Sequence, residues 1–175
     1  GDNTAVGHNS MLTNVSGSFN TTIGVDTLRA SSSGSSNIAM GYYALRNNTT
    51  PLQNVAIGHS SMLGVSGQNN VGIGHNTLQL STVDQQVAVG SFALQLNTTG
   101  TNGTAVGYMA LQNQTIGNNN SAFGHMAGSS LTSGDYNVVM GSGALFLASG
   151  ANNNVAIGVN TLASVSIFGN NVGVG

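Results

Sequence analysis

One spacing governs the whole chain. A triplet of small or apolar residues ending in glycine recurs at Gly7, Gly24, Gly41, Gly58, Gly74, Gly90, Gly107, Gly124, Gly141, Gly158 and Gly175. The step is seventeen residues, shortened to sixteen only on the way into Gly74 and Gly90. A unit that short cannot bury an apolar face of its own, so consecutive units have to stack on one another. Columns of equivalent residues, numbered here from the motif glycine, then carry the structural information.

At position −1 every residue is bulky and apolar: Val6, Ile23, Met40, Ile57, Ile73, Val89, Val106, Phe123, Met140, Ile157 and Val174. Position −3 is Val, Ile, Thr or Ser, and position −2 is mostly Ala or Gly. Alternation with period two and β-branched enrichment is a strand pattern. A second apolar column stands at +4, with Met11, Leu28, Leu45, Met62, Leu78, Leu94, Leu111, Leu145 and Leu162, interrupted by Gly128. It reads as a second short strand or extended corner. The −1 column with Leu28, Leu45, Leu78, Leu94, Leu111, Leu145 and Leu162 is the expected core. The rest of each unit is Asn, Ser, Thr and Gly, which are turn residues. The glycines near mid-unit, Gly17, Gly34, Gly67, Gly100, Gly117, Gly134 and Gly150, fit a positive-φ conformation. Too few good helix formers are present for a helical repeat.

The expected fold is therefore all-β: a parallel β-solenoid of about seventeen residues per coil. Residues 1–175 make one repeat domain of ten coils plus a final strand, read as a segment of a longer fibre. At ~4.8 Å per coil the ten steps span roughly 48 Å. Position −4 is Asn in nine units, Asn3, Asn20, Asn37, Asn54, Asn70, Asn120, Asn137, Asn154 and Asn171, with Gln86 and Gly103 as the exceptions. Stacked in register, such a column forms an amide ladder, in which each side-chain carbonyl accepts from the neighbouring amide. The Ala and Gly of positions −2 and 0 form an apolar face with nothing bulky to bury, suited to close packing against other chains. Three copies about one axis would hide all three faces symmetrically.

Composition removes several classes of function. Charged residues are 3% of the chain, with two cations, Arg29 and Arg46, four Asp, and no Cys. Two arginines cannot neutralise a nucleic-acid backbone. The absence of lysine excludes a P-loop and Schiff-base chemistry. Asp84 and Asp135 lie about three coils apart, which argues against a paired-carboxylate hydrolase. No enzyme activity and no cofactor are expected. No apolar run reaches membrane-spanning length and no signal peptide is read, so this segment does not insert into a membrane.

Asn54-Val55-Ala56-Ile57-Gly58-His59-Ser60-Ser61 resembles the head repeats of YadA-like trimeric autotransporter adhesins, N-S-V-A-I-G-x-x-S. Asn153-Asn154-Val155-Ala156-Ile157-Gly158-Val159-Asn160-Thr161 is similar. Ala105-Val106-Gly107-Tyr108-Met109-Ala110-Leu111 and Ala93-Leu94-Gln95-Leu96-Asn97-Thr98-Thr99-Gly100 resemble the N-T-A-V-G-Y-x-A-L-x-x-N-T-T-G repeats of phage tail fibres and spikes. The likeness runs over essentially the whole chain. It implies a left-handed parallel β-roll, a homotrimer, and an extracellular fibre on a virion or bacterial surface that contacts a host.

The expected role is a non-enzymatic structural and adhesive segment, a rigid spacer with an attachment surface. Its partners would be its own copies and a cell-surface glycan or protein receptor. The rival readings are a filament subunit joined end to end by strand pairing, and a carbohydrate- or ice-binding solenoid. Ice binding calls for a regular Thr-x-Thr column, and only Thr99-Gly100-Thr101 fits. All four histidines, His8, His59, His75 and His125, stand at +1. His59 and His75 occupy adjacent units, about 5 Å apart on stacking, and are the pair to inspect for a metal or a pH-sensitive patch. Tyr, Val and Ser in the same column favour a tolerant corner, and no metal is expected. Arg29 and Arg46 share position +5 in adjacent units and read either as solvated corner residues, with Asp26 close enough to relieve their repulsion, or as the candidate surface-binding spot for an anionic glycan or lipopolysaccharide. Sequons stand at Asn14, Asn20, Asn47, Asn48, Asn97, Asn102, Asn113 and Asn119.

Overall fold

A computed structural model describes residues 1–64, 67–164 and 169–175. Eleven three-residue strands follow one another: β1 (Thr4–Val6), β2 (Thr21–Ile23), β3 (Ile38–Met40), β4 (Val55–Ile57), β5 (Val71–Ile73), β6 (Val87–Val89), β7 (Thr104–Val106), β8 (Ser121–Phe123), β9 (Val138–Met140), β10 (Val155–Ile157) and β11 (Val172–Val174). They form one parallel sheet in strict chain order. Position −2 pairs with position −2 at every step, as in Ala39 with Ala56 and Ala56 with Gly72. The molecule is a β-solenoid of about ten turns, and no helix occurs among the described residues.

Among the described residues each coil carries one strand, not two. The +4 column is left-handed rather than extended, with φ of +47° at Leu28, +50° at Leu45 and +48° at Leu111. Position +2 is left-handed as well, at Asp26, Tyr43 and Phe92 for example. A non-glycine residue in this region costs roughly 1–2 kcal/mol. Hydrogen bonds between coils hold it there: Leu28 N–H donates to the Ala44 carbonyl at 2.9 Å and Leu111 N–H to that of Ala127 at 3.0 Å. The alternating turn folds the chain tightly and aims each +4 side chain inward.

The inward faces are the second departure from the sequence reading. Position −2 points into the coil: Ala39, Ala56, Ala88, Ala105, Ala122, Val139 and Ala156 are fully buried against Leu28, Leu45, Leu78, Leu94, Leu111 and Leu145. Leu162 is partly buried against the same core. The −1 column, Val6, Ile23, Met40, Ile57, Ile73, Val89, Val106, Phe123, Met140, Ile157 and Val174, is not core. Met40, Ile57, Val89 and Val106 are half-buried, and the other seven are exposed, from 37% at Ile73 to 74% at Val174. The reason is width. A coil that already holds a leucine from +4 has room opposite for a methyl group only. Even there the fit is close, since a Cβ on Gly72 would lie 2.9 Å from Met62 Cγ. The small face therefore packs within its own chain, and the outward face carries the β-branched residues.

The motif glycines are required twice over. Their φ runs from +122° to +139° along Gly24–Gly158, and a Cβ on any of them would strike the next coil's glycine backbone. At Gly74, for instance, it would lie 2.8 Å from Gly90 C. The mid-unit glycines do not take the expected positive φ. Gly17, Gly67, Gly100, Gly117 and Gly134 are needed for space, because a Cβ there would run into the following coil's carbonyl group. Where Gly128 leaves the +4 column empty, buried Leu131 and Val139 occupy the interior.

Candidate functional site

The Asn column is a buried, hydrogen-bonded spine. Asn20 Oδ1 accepts from both the backbone N–H and the side-chain Nδ2 of Asn37, at 3.0 and 2.9 Å. The pattern repeats from Asn3 to Asn20, from Asn120 to Asn137, from Asn137 to Asn154 and from Asn154 to Asn171. Asn54 and Asn70 accept the backbone N–H of the next coil in the same way. Nδ2 also reaches the −7 carbonyl ahead of it, as from Asn20 to Gly34 at 2.8 Å. With these amides buried and engaged, the column closes turns and offers a ligand little. A second ladder, missed in the sequence reading, runs outside it at −6 with opposite polarity. Asn118 N–H donates to Asp135 Oδ1, and Gln68 N–H to Asp84 Oδ1, both at 2.7 Å. Asp84 and Asp135 thus act as acceptors for backbone amides. The signal was available: Ser, Asp and Asn recur at that position.

The +1 column, joined by residues from +2, forms a row of rings. Tyr42 stacks on His59 with centroids 5.2 Å apart, His59 lies 5.1 Å from His75, and His75 meets Phe92 edge-on at 5.0 Å. Phe92 meets Tyr108 at 6.0 Å, and Tyr108 stacks on His125 at 5.4 Å. Ser91 interrupts the +1 column, and Phe92 supplies the missing ring from +2. That substitution could not be read from a single column. Tyr43 stacks on Tyr42 at 3.8 Å and closes one end of the row. Tyr42's phenol is held above the ordinary tyrosine range, first by hydrogen bonding with Tyr43, then by lost solvation and the neighbouring Tyr43 and Asp26 charges. His59 and His75 are brought together, but each is packed on another ring of the row. Among the described residues no group of three or more potential metal-ligating side chains is present.

Arg29 and Arg46 also come together, with Asp26 between them. Asp26 Oδ1 lies 3.6 Å from Arg29 Nε and Oδ2 lies 3.5 Å from Arg46 Nε. Asn9 Nδ2 donates to Asp26 Oδ1 at 2.9 Å, and the Arg46 guanidinium sits 4.4 Å above the Tyr43 ring. Asp26 is nearly buried, whereas the two arginine side chains are 40% and 29% exposed. They flank a cavity of about 270 Å³ with Thr13, Ala30 and Asn47. Further along the same +5 column Gln79, Gln95 and Gln112 form an exterior amide ladder, with bonds of 3.1 and 3.0 Å.

Burial and bonding also describe the threonines and the sequons. A threonine row exists at +8, but Thr82, Thr98, Thr115 and Thr132 each donate their hydroxyl to the next coil's carbonyl. Of the sequons, Asn20, Asn48 and Asn97 are buried and closed to modification, whereas Asn47 and Asn102 are exposed. No described helix is long and apolar enough to cross a membrane. No protein-family model, curated protein or solved structure matches the chain.

Proposed function

We propose that the chain is a non-enzymatic structural and adhesive segment of an extracellular fibre, in which three copies associate along their lengths. The observation that carries this reading is the outward face of the sheet. Positions −1 and −3 turn Val6, Ile23, Ile38, Ile73, Phe123, Val138, Met140 and Ile157 to solvent between β1 and β11, with Thr4, Thr21, Thr104 and Ser121 interspersed at −3 and the remaining apolar members mostly half-buried. Apolar patches of more than a few hundred Å² on soluble proteins mark interaction sites. This one runs along the whole sheet and carries no charge, so its natural cover is other copies of the chain. Three chains that each turn this face to a common axis would bury all three copies of it at once. The interface of this trimer is the β-branched face, in place of the Ala and Gly face the sequence suggested. The surroundings suit exposure outside cells, since Arg29 and Arg46 are the only tryptic sites in 175 residues and both lie at an ion pair.

Light scattering tests the reading directly. The expected mass is three chains for the native sequence and one chain for the variant carrying Ile57→Lys and Ile73→Lys, with the same circular dichroism spectrum. A native chain that stays single at high micromolar concentration refutes the assembly.

A further inference from the structure

Positions +1, +2 and +5 form one continuous surface along the solenoid. Contacts between the columns show it: Asp26 at +2 meets Arg29 and Arg46 at +5, and Arg46 covers the Tyr43 ring. Toward the other end a cavity of about 290 Å³ is walled by His125, Met126 and Asn160 from +1 and +2 and by Phe146 from +5. Along this surface run the rings from Tyr42 to His125, in five steps of 5.0–6.0 Å. Beside them stand Gln79, Gln95 and Gln112, repeating at the same coil spacing. At one end lie the only two cationic side chains of the protein.

We propose that this surface binds an extended, carboxylate-bearing polysaccharide, with one acidic sugar on Arg29 and Arg46 and the following sugars along the ring and glutamine rows.

The charge at the anchor selects the ligand's charge. Asp26 offsets one arginine, so the group carries one net positive charge in a chain whose net charge is −2. That matches a carboxylate and falls short of a dianionic phosphate. Asp26 meets both guanidiniums through Nε, at distances longer than a hydrogen bond, and both Nε atoms are buried without a hydrogen-bond partner. The Nη groups stay uncommitted, which leaves each planar fork able to grip a carboxylate. The Tyr43 ring under Arg46 and the bond from Asn9 to Asp26 hold the pair in place before a ligand arrives.

Periodicity selects the ligand's form. A row of rings and a parallel row of amides, both repeating once per coil, suit a polymer whose apolar and hydroxyl surfaces repeat at a comparable interval. Each ladder glutamine uses its amide along the row and keeps hydrogen-bonding capacity for hydroxyls. Tyrosine supplies an apolar body with a polar tip. Two cations are too few for the phosphates of a nucleic acid. The proposal deepens the attachment half of the fibre reading, but every residue it uses lies in one chain. Light scattering can therefore refute the trimer while the binding measurement stands, and the reverse.

Affinity electrophoresis of the full chain tests it in gels containing polygalacturonate, alginate or polysialate. The controls are fully methyl-esterified polygalacturonate, which keeps the sugar backbone without charge, and poly-L-glutamate, which keeps the charge without sugars. Retardation by at least one acidic polysaccharide is expected, weakening as salt is raised. Esterification should reduce affinity roughly tenfold or more, the scale of a lost hydrogen bond to a charged group. Arg29→Gln and Arg46→Gln should each do the same, and each leaves Asp26 one arginine, so folding is preserved and is checked by circular dichroism. Phe92→Ala and Tyr108→Ala should weaken binding severalfold without changing its salt dependence. Three results overturn the proposal: no retardation by any of the three polymers, equal binding of the esterified polymer, or equal binding of poly-L-glutamate. The comparison between polymers needs no variant and decides the matter even where a substitution unfolds the chain.

Discussion

At the scale of single residues the fold is set by which atoms are missing. Gly107 has φ +139°, and a Cβ there would lie 2.6 Å from the carbonyl carbon of Gly124. Gly150 has neither constraint, its nearest new contact being Ser133 Oγ at 3.5 Å. Substituting each by alanine separates these causes. Gly107→Ala should lose at least about 2 kcal/mol, from the strained backbone and the backbone collision together. Gly150→Ala should change stability by no more than about 1 kcal/mol, in either direction. Urea unfolding followed by circular dichroism reads both, and equal losses would show that glycine in this chain is a matter of composition, not position. The motif glycines were legible in the sequence because a column without exception needs a steric reason. The reason for the mid-unit glycines was not legible. Whether such a residue supplies a dihedral angle or an empty volume depends on what the next coil places above it.

At the scale of the repeating element, irregular residues repair one another. Gly103 brings no side chain to the asparagine spine, yet the spine is not broken. Gln86, one carbon longer than asparagine, accepts from Gly103 N–H at 3.0 Å and from Asn97 Nδ2 at 3.2 Å. Gln114 then offers Oε1 to Asn120 Nδ2 at 3.0 Å, taking the place of the absent amide. This makes a coupled prediction. Gly103→Asn alone should destabilise, because its Cβ, 2.7 Å from Gln86 Oε1, would push that amide off the hydrogen bonds it accepts from the residue 103 N–H and Asn97 Nδ2. Adding Gln86→Asn restores the regular pattern of the other coils and should recover most of the loss. A double-mutant cycle should give a coupling of about 0.5–3 kcal/mol, and strict additivity would refute the repair. The sequence displayed Gln86 and Gly103 as exceptions in one column. It did not display their rescue by Asn97 and Gln114, which come from a different column. The ring row was hidden for the same reason, since Phe92 completes a column to which it does not belong. Likewise, period two announced two faces of each strand without saying which was inside. That choice is made by the leucines at +4 across the narrow coil.

At the scale of the whole molecule, the architecture predicts where the chain can be cut. Each strand pairs only with the strand before and the strand after it, from β1 to β11. Stability in such a stack is close to a sum of coil terms and nearest-neighbour terms. Removing one entire period, residues 142–158, joins Gly141 to Val159 and leaves every remaining column in register. Phase should therefore matter more than length. The seventeen-residue deletion should keep the native circular dichroism spectrum and lower the unfolding free energy by about one-tenth, one coil's share of ten. Removing only residues 142–150 deletes about half as much chain. It nevertheless sets turn residues against strands, buries unpaired backbone groups and stacks the −1 column on polar positions, each of which opposes folding. That shorter deletion should lose far more signal and melt over a broad range, as the coils beyond the break detach from those before it. If the two deletions behaved alike, or the shorter were the milder, register between coils would not be what holds this molecule together. Its length, its asparagine spine and its ring row all depend on that register, so the contrast tests the one feature that the period of seventeen imposes everywhere.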